Sequence, residues 1–299
     1  MLCDAHCHFF SARYLELLTQ GTPAAVDGDA ATVVSAKLGW DPPGTAEALA
    51  DRWIAELDRH NVGRAALIAS IPGDEGSVRA AVARHPSRLV GFFMFNPAPG
   101  EVRQRLDPLL ADGTLRAVAL FPAMHRYRLD DPVVTEVFDA ARAAGAAVFV
   151  HCGVLTVGVR TRLGLPSPFD LRLGDPLAVA AIASRYPTVP VILPHFGAGM
   201  FREALMAAAQ CPNIHLDTSS SNSWIAYHPG LTLEAVFRQA LIVAGPDRLL
   251  FGTDSSFFPR GWQKPLFEAQ TAALAAANAT LDARTHIMGG NFARLFPEG

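Results

Sequence analysis

Histidine and aspartate residues stand at the end of the first apolar run of the sequence, which reads LCDAHCH. Side chains alternate along a β-strand, so Asp4, His6 and His8 are expected to share one face, about 6–7 Å apart in succession. Two imidazoles at that spacing can converge on one metal ion. The H-x-H pattern therefore predicts a metal-binding pair at the carboxyl end of a first strand.

Three further residues with metal-binding side chains directly follow separate apolar runs. His151 follows AAVFV, His195 follows VILP, and Asp254 follows LLFGT. Each of them alone is more often a hydrogen-bonded residue at a strand end than a ligand. Their joint placement is the stronger signal, because the strands of a parallel barrel end on the same side. Imidazoles with one carboxylate predict a site for a single divalent cation, with Zn²⁺ favoured and Mn²⁺ as the alternative.

Short β-rich runs alternate with amphipathic stretches along the chain. Several runs are apolar without alternation, which is typical of strands buried on both faces of a parallel sheet. The stretches between them have helical spacing and end at Gly or Pro. Strand and helix repeated eight times predict an α/β fold, a (β/α)8 TIM barrel, in a single domain over residues 1–299. The predicted strands are Leu2–His6, Ala65–Ala69, Leu89–Phe95, Ala117–Phe121, Ala147–His151, Val191–His195, Ile214–Asp217 and Leu249–Thr253.

Two long connections, residues 9–50 and 153–174, follow the first and fifth predicted strands. In a barrel both would lie at the face that carries the active site. A doubly wound sheet is the alternative architecture, but it would carry a glycine-rich turn where this chain reads DAHCHFF. The barrel is therefore the favoured prediction.

The composition excludes several classes of protein. The chain is 50% hydrophobic and 18% charged, which is enough apolar content for a core and excludes a charged disordered protein. Its formal net charge of -3 argues against a protein that binds nucleic acid through a basic surface. No apolar run is long enough to cross a membrane. The four cysteines form no C-x-x-C pair, which favours free thiols and a cytoplasmic location. The only lysines, Lys37 and Lys264, are not at predicted strand ends, so no Schiff-base nucleophile is expected.

The motifs DAHCH, ELDRHNVGRAALI, FVHCG, YPTVPVILPHFGAG, NIHLDTS, LLFGTD and GGNFARLF follow in this order from residue 4 to residue 296. On these motifs the chain resembles the amidohydrolase superfamily, specifically the amidohydrolase-2 group that includes aminocarboxymuconate semialdehyde decarboxylase-like enzymes. The resemblance implies that His6, His8 and His151 are metal ligands. It also implies that Asp254 is both a ligand and a proton acceptor, and that His195 acts as an acid/base or polarises the substrate.

Binuclear members of that superfamily bridge two metals with a carboxylated Lys or a Glu near the end of strand 4. The fourth predicted strand here ends with Ala119-Leu120-Phe121-Pro122, which offers no such group. The comparison with the family pattern therefore implies one metal ion.

The resemblance implies an enzyme acting on a small molecule, with hydrolysis as the favoured reaction and decarboxylation as the alternative. A metal-activated water would hydrolyse an amide, lactone or ester. The same set of residues serves non-oxidative decarboxylation of small aromatic or enoic acids in the family. A metal-free barrel acting as a binding or scaffold subunit is the alternative from another class, and a homodimer is common for this fold. The candidate substrate-binding residues near the rim are Phe121, His125, Arg160, Phe196 and Trp224.

Overall fold

Eight parallel strands follow one another in chain order around one sheet, in a computed structural model that describes residues 1–26, 28–219 and 221–298, the side chains of residues 221 and 222 excepted. This order confirms the predicted (β/α)8 barrel. The strands are β1 (Leu2–His8), β2 (Val62–Ala69), β3 (Leu89–Met94), β4 (Leu115–Leu120), β5 (Ala147–Val150), β6 (Val191–Leu193), β7 (Ile214–Asp217) and β8 (Leu249–Leu250).

Backbone hydrogen bonds between β1 and the chain after β8 close the barrel. The N–H of Ala5 donates to the carbonyl of Phe251 at 2.8 Å, and the N–H of Asp254 donates to the carbonyl of His6 at 2.9 Å. The short β8 is therefore continued by an irregular segment that still pairs with β1. This closure brings the H-x-H segment and Asp254 side by side.

Helices connect the strands and cover the outside of the barrel. In the helix Ala46–Arg59, the Thr45 hydroxyl accepts from the N–H of Ala48 at the amino end, and Leu49, Trp53 and Leu57 form the buried face. Burial of such a side chain contributes about 1.5–3 kcal/mol. The α-helices are α1 (Ala12–Thr19), α2 (Ala30–Leu38), α3 (Ala46–Arg59), α4 (Glu75–Arg84), α5 (Val102–Leu110), α6 (Pro122–His125), α7 (Pro132–Ala144), α8 (Gly158–Arg162), α9 (Pro176–Ala183), α10 (Phe201–Gln210), α11 (Ser221–Trp224), α12 (Leu233–Val243), α13 (Lys264–Ala276), α14 (Leu281–Thr285) and α15 (Asn291–Leu295). Short 3-10 segments lie at Leu171–Leu173, Pro194–Gly197, Ile225–Tyr227 and Pro246–Arg248, and a π-helical turn lies at His286–Gly290.

The sheet separates two apolar layers. Phe92 and Phe149 belong to the cluster inside the barrel, whereas Phe138 and Phe237 belong to the larger cluster between strands and helices. All four are fully buried. The strands are therefore apolar on both faces, which is why their sequences do not alternate.

A bulge in β1 changes the face on which Asp4 lies. Asp4 pairs with Ala65 and Cys7 pairs with Leu67, so β1 has one more residue than β2 in this interval. The side chain of Asp4 consequently lies outside the barrel, where it accepts a hydrogen bond from Trp262 Nε1 at 2.7 Å. The expectation that Asp4 shares a face with His6 and His8 is therefore wrong, because the bulge breaks the period of two.

The two long connections cover the carboxyl end of the barrel, as predicted. They carry α1, α2 and α8 and form a small apolar core of their own, in which Leu38 and Trp40 from the first connection pack with Val159 and Leu165 from the second. None of the helices among the described residues combines the length and the apolar character needed to cross a membrane.

Candidate active site

Side chains from β1 and from the turn after β8 form a compact group at the carboxyl end of the barrel. His8 Nε2 lies 2.9 Å from Asp254 Oδ1, and His6 Nε2 lies 3.6 Å from the same oxygen. The two Nε2 atoms are 3.4 Å apart. Within the part of the chain that the structure describes, this is the one group of three such residues whose ligand atoms lie within 4.8 Å of one another. Two imidazoles and a carboxylate are a donor set that suits a divalent cation.

The orientation of His6 is set by Asp217 at the end of β7. His6 Nδ1 donates to Asp217 Oδ2 at 2.6 Å, and the N–H of Ser219 donates to the other carboxylate oxygen at 2.7 Å. A Cβ at Gly252 would lie 2.7 Å from Asp217 Oδ1 and 2.9 Å from His6 Cβ, so only glycine leaves room for this pair. The proton therefore sits on Nδ1 of His6, and its Nε2 presents a lone pair to the cavity.

The orientation of His8 is set by a serine at the end of β2. Ser70 Oγ donates to the carbonyl of Ile68 at 3.0 Å and accepts from His8 Nδ1 at 2.6 Å. Because the hydroxyl has a single proton, the hydrogen between Ser70 and His8 belongs to the imidazole. His8 also presents its Nε2 lone pair towards Asp254, as a metal ligand must.

The two residues predicted to be catalytic lie in turns beyond the ends of their strands. The φ angles of His195 and Asp254 are both 57°, in the left-handed region that non-glycine residues rarely adopt. Such backbones cost about 1 kcal/mol or more and cluster at functional sites. Since β6 ends at Leu193 and β8 at Leu250, both strands are shorter than predicted. The turns direct these two side chains into the barrel mouth.

His195 lies beside the group of potential ligands, and a backbone carbonyl fixes which of its ring nitrogens carries the proton. Its Nδ1 lies 2.9 Å from the carbonyl of Ser219, which can only accept, so Nδ1 carries the proton. Its ring centroid is 4.9 Å from that of His6 and 5.3 Å from that of His151. Burial lowers the pKa of His195, so the ring is neutral and its Nε2 is unprotonated at neutral pH.

His151 lies in the same cavity but outside the group of three ligand atoms. Its ring stacks on Phe121 at 5.2 Å between centroids. Its Nδ1 is buried and has no hydrogen-bond partner among the described residues. Leaving such a group without a partner costs about 1–3 kcal/mol. Burial also lowers the pKa of His151 well below its usual value, so the ring is neutral.

The protonation states of Asp254 and His8 are those that metal binding requires. Burial alone would raise the pKa of Asp254, but the hydrogen bond with His8 and the nearby imidazoles hold it well below its usual range. Burial lowers the pKa of His8. For His6, burial would also lower the pKa, but Asp217 outweighs it and the pKa is raised, so a cation that binds at His6 Nε2 would displace a proton from that atom. An ionised carboxylate therefore faces two oriented imidazoles.

A cavity of about 320 Å³ lies above the histidines, between the two long connections. Its wall includes a stack of parallel rings, with centroids 5.5 Å apart for Phe10 and Trp40 and 4.4 Å apart for Trp40 and Phe257. The Arg260 guanidinium lies 4.6 Å above the Phe257 ring. Arg162 also lines the cavity and donates to the carbonyl of Leu38. The cavity therefore has flat aromatic rings along one wall and two guanidinium groups in its lining.

Only one of the five predicted substrate-binding residues lines this cavity. Phe121 lies in its wall, whereas His125 and Arg160 line a neighbouring chamber. Phe196 and Trp224 are buried in the outer cluster, where both pack on Phe201. The structure therefore places Phe196 and Trp224 away from the residues that line this cavity. The reason is the left-handed turn after β6, which directs Phe196 away from the barrel mouth.

Sequence reasoning missed the residues that support the ligands. Asp217 ends β7, so the rule that found the other strand-end residues would also have found it. Ser70 and Ser219 had no signal of their own, because a serine after a strand is common. Arg260 lies ten residues after β8 and reaches the cavity only because the chain turns back over the barrel.

Comparison with known proteins identifies the family. The sequence matches the family described as "Amidohydrolase" over residues 3–297. This is nearly the whole chain, and the protein therefore belongs to that family.

Three solved structures show the same fold at low identity. A probable 2-pyrone-4,6-dicarboxylic acid hydrolase from Acinetobacter baumannii is 16% identical, with 99% of this chain and 98% of that chain covered and a TM-score of 0.61. An amidohydrolase from Burkholderia multivorans with bound zinc is 17% identical, with both chains covered to 100% and a TM-score of 0.62. A 5-carboxyvanillate decarboxylase from Novosphingobium aromaticivorans, complexed with manganese, is 12% identical, with 99% and 96% covered and a TM-score of 0.65. Of these three structures, the one from Burkholderia holds zinc and the one from Novosphingobium holds manganese.

Proposed function

We propose that this chain is a metal-dependent hydrolase that cleaves a lactone, ester or amide bond in a planar, carboxylated small molecule. The main support is the convergence of His6 Nε2, His8 Nε2 and Asp254 Oδ1 at the inner end of the cavity. A divalent cation bound there would lower the pKa of a water from about 15.7 towards 7 and polarise a carbonyl oxygen.

The residues present fit one such cation. Three of the predicted ligands already have their donor atoms close together. We assign His151 as the fourth ligand, because its buried Nδ1 lacks a partner among the described residues and its ring is neutral. Zinc is our first choice of metal, since imidazoles dominate the donor set, and manganese is the second.

Asp254 and His195 would carry the protons in hydrolysis. Asp254 is ionised and lies against the ligand atoms, so it can accept the proton of the attacking water. His195 is neutral with its proton on Nδ1, so Nε2 can receive that proton from Asp254 and give it to the leaving group. The two groups lie on different turns, after β8 and after β6.

The cavity wall indicates the class of substrate. The parallel rings of Phe10, Trp40 and Phe257 favour a flat ligand. Arg260 and Arg162 would pair with a carboxylate, because a guanidinium binds one in a planar fork. The hydrolase from Acinetobacter is named for such a substrate, a pyrone dicarboxylic acid.

Non-oxidative decarboxylation of an aromatic acid is the second candidate. The aromatic enclosure favours it, since a carboxylate that leaves as CO₂ loses its charge, and an apolar wall stabilises the neutral product relative to the anion. The carbon that loses CO₂ must gain a proton, and because Asp254 is ionised and His195 Nε2 is unprotonated, one of them would first take that proton up from water and then deliver it. The similar enzyme from Novosphingobium is a decarboxylase.

The test uses enzyme stripped of metal and reloaded with zinc or manganese. Planar carboxylated lactones and esters are followed by ring opening or acid release, and hydroxylated benzoates by CO₂ release. Hydrolysis by the metal-loaded enzyme, with none by the metal-free enzyme, supports our proposal. For Asp254→Asn we expect kcat to fall by about 100-fold or more. His286→Ala, on the exposed surface, is the matched control. CO₂ release without hydrolysis would transfer the assignment to the decarboxylase, and undiminished turnover by Asp254→Asn would refute the proposed site.

A further inference from the structure

A second chamber of about 360 Å³ lies next to the active-site cavity. It is formed by the ends of β2 and β3, by α6 and by the connection after β5. A ligand in one chamber would therefore lie against the same wall as a ligand in the other. The residues that line both chambers are Tyr14, Ser70, Met94, Met124 and Val157.

The second chamber is cationic. Arg126 and Arg160 line it, and no Asp or Glu is among its lining residues. Neither guanidinium forms an ion pair within the described residues. Instead Arg160 donates to the carbonyl of Pro166 at 3.0 and 2.7 Å, and Arg126 donates to the carbonyl of Pro168 at 3.0 Å. These bonds hold both groups in place, and Asp170, whose pKa is lowered mainly by Arg172 and in smaller part by Arg126, lies outside the lining of the chamber.

His125 supplies a neutral polar group to the same chamber. Its Nδ1 is buried and has no partner among the described residues. Burial lowers the pKa of His125 to about 4, so the ring is uncharged at pH 7 and offers a hydrogen bond. Tyr14 stands between the chambers, and the charge of Arg160 is close enough to oppose the effect of burial on its pKa. Arg160 therefore lies close to Tyr14, which belongs to the wall that the two chambers share.

We propose that this second chamber binds a second anionic group of the substrate, through Arg126 and Arg160. The inference rests on the proposed function and narrows it to planar acids with two anionic ends. One end would lie near Asp254 and Arg260, and the other would lie beyond Tyr14. An arginine cluster without carboxylates suits a carboxylate, a sulfonate or a phosphate alike.

The experiment measures binding to the zinc-loaded enzyme by calorimetry. The probes are aromatic dicarboxylates of increasing length, with one ring, two joined rings and two rings linked by a methylene group. Each is paired with the monocarboxylate of the same skeleton. Disulfonates of the same skeletons show whether any dianion is accepted. At least one dicarboxylate should bind about tenfold or more tightly than its partner, as expected for one additional charged hydrogen-bond pair.

Three variants locate the effect. Arg160→Met and Arg126→Met should each reduce the ratio of dicarboxylate to monocarboxylate affinity towards one. Arg128→Met should leave that ratio unchanged, because Arg128 is exposed, pairs with Asp130 and lines neither chamber. Circular dichroism and zinc content verify that each variant is folded and loaded.

The outcomes separate this inference from the proposed function. If monocarboxylates bind and no dicarboxylate binds more tightly, the proposed role of the second chamber is wrong. The proposed active site is then unaffected. A preference that persists in both arginine variants would also overturn the proposed role of the second chamber. Failure of every carboxylate to bind zinc-loaded enzyme would overturn the substrate class and this inference together.

Discussion

Replacing Asp217 with Asn should weaken metal binding, although Asp217 is not one of the ligands that we propose. Its carboxylate accepts from His6 Nδ1 at 2.6 Å and from the N–H of Ser219 at 2.7 Å. In Asp217→Asn the amide oxygen would keep the bond from Ser219, which turns the amide NH₂ towards His6. Two donors would then face each other, so His6 would move its proton to Nε2 and lose the lone pair that binds the cation.

The expected loss follows from the behaviour of hydrogen-bond partners of metal ligands. Removing such a partner costs about 10–100-fold in metal affinity. At about 1.4 kcal/mol for each factor of ten, this is about 1.4–2.7 kcal/mol. We expect the upper half of the range, because the bond is short and fully buried.

Zinc affinity is measured by competition with a chromogenic chelator on metal-free protein. Asp130→Asn, which alters an exposed carboxylate paired with Arg128, is the matched control and should bind zinc like the parent. If Asp217→Asn were folded and bound zinc within about twofold of the parent, Asp217 would not orient a ligand, and the role of His6 would have to be withdrawn.

Three other outcomes are expected. Gly252→Ala should reduce zinc affinity and lower the free energy of unfolding by about 1–3 kcal/mol, because the new Cβ meets Asp217 and His6; Gly76→Ala, with open space around it, should do neither in a zinc titration and urea melt. Burial lowers the pKa of His215 from 6.5 to about 4, so the unfolded chain takes up a proton first as the pH falls, and stability is lost between these values. His215→Leu should reduce this loss by up to about 3 kcal/mol in urea melts at both ends of that window, and an unchanged pH dependence would contradict the assignment. Removing the metal with a chelator should abolish turnover, and zinc or manganese should restore it; activity that survives complete removal would contradict a metal-dependent reaction.

The fold could be predicted because it depends on patterns that repeat along the chain. Eight apolar runs separated by amphipathic stretches predict a barrel, and the structure confirms it. Strand ends were less predictable. His195 and Asp254 adopt left-handed backbone conformations soon after short strands, and the residue type alone does not predict such a turn.

The candidate site was predictable in its ligand types and less so in its geometry. His6, His8 and Asp254 come together as predicted, since barrel topology places all strand ends on one side. The bulge in β1 could not be predicted, and it removes Asp4 from the cavity. Side chains on long connections were hardest to place, as Arg260 shows, because their positions depend on packing between the connections.

The central claim is that His6, His8 and Asp254 hold one cation at the mouth of the barrel. The most direct test is a crystal structure of the zinc-loaded protein with an anomalous difference map at the zinc absorption edge. We predict one strong peak per chain, about 2.0–2.2 Å from His6 Nε2, His8 Nε2 and Asp254 Oδ1. A zinc-loaded crystal with no peak there, or with its peak among other residues, would contradict the account.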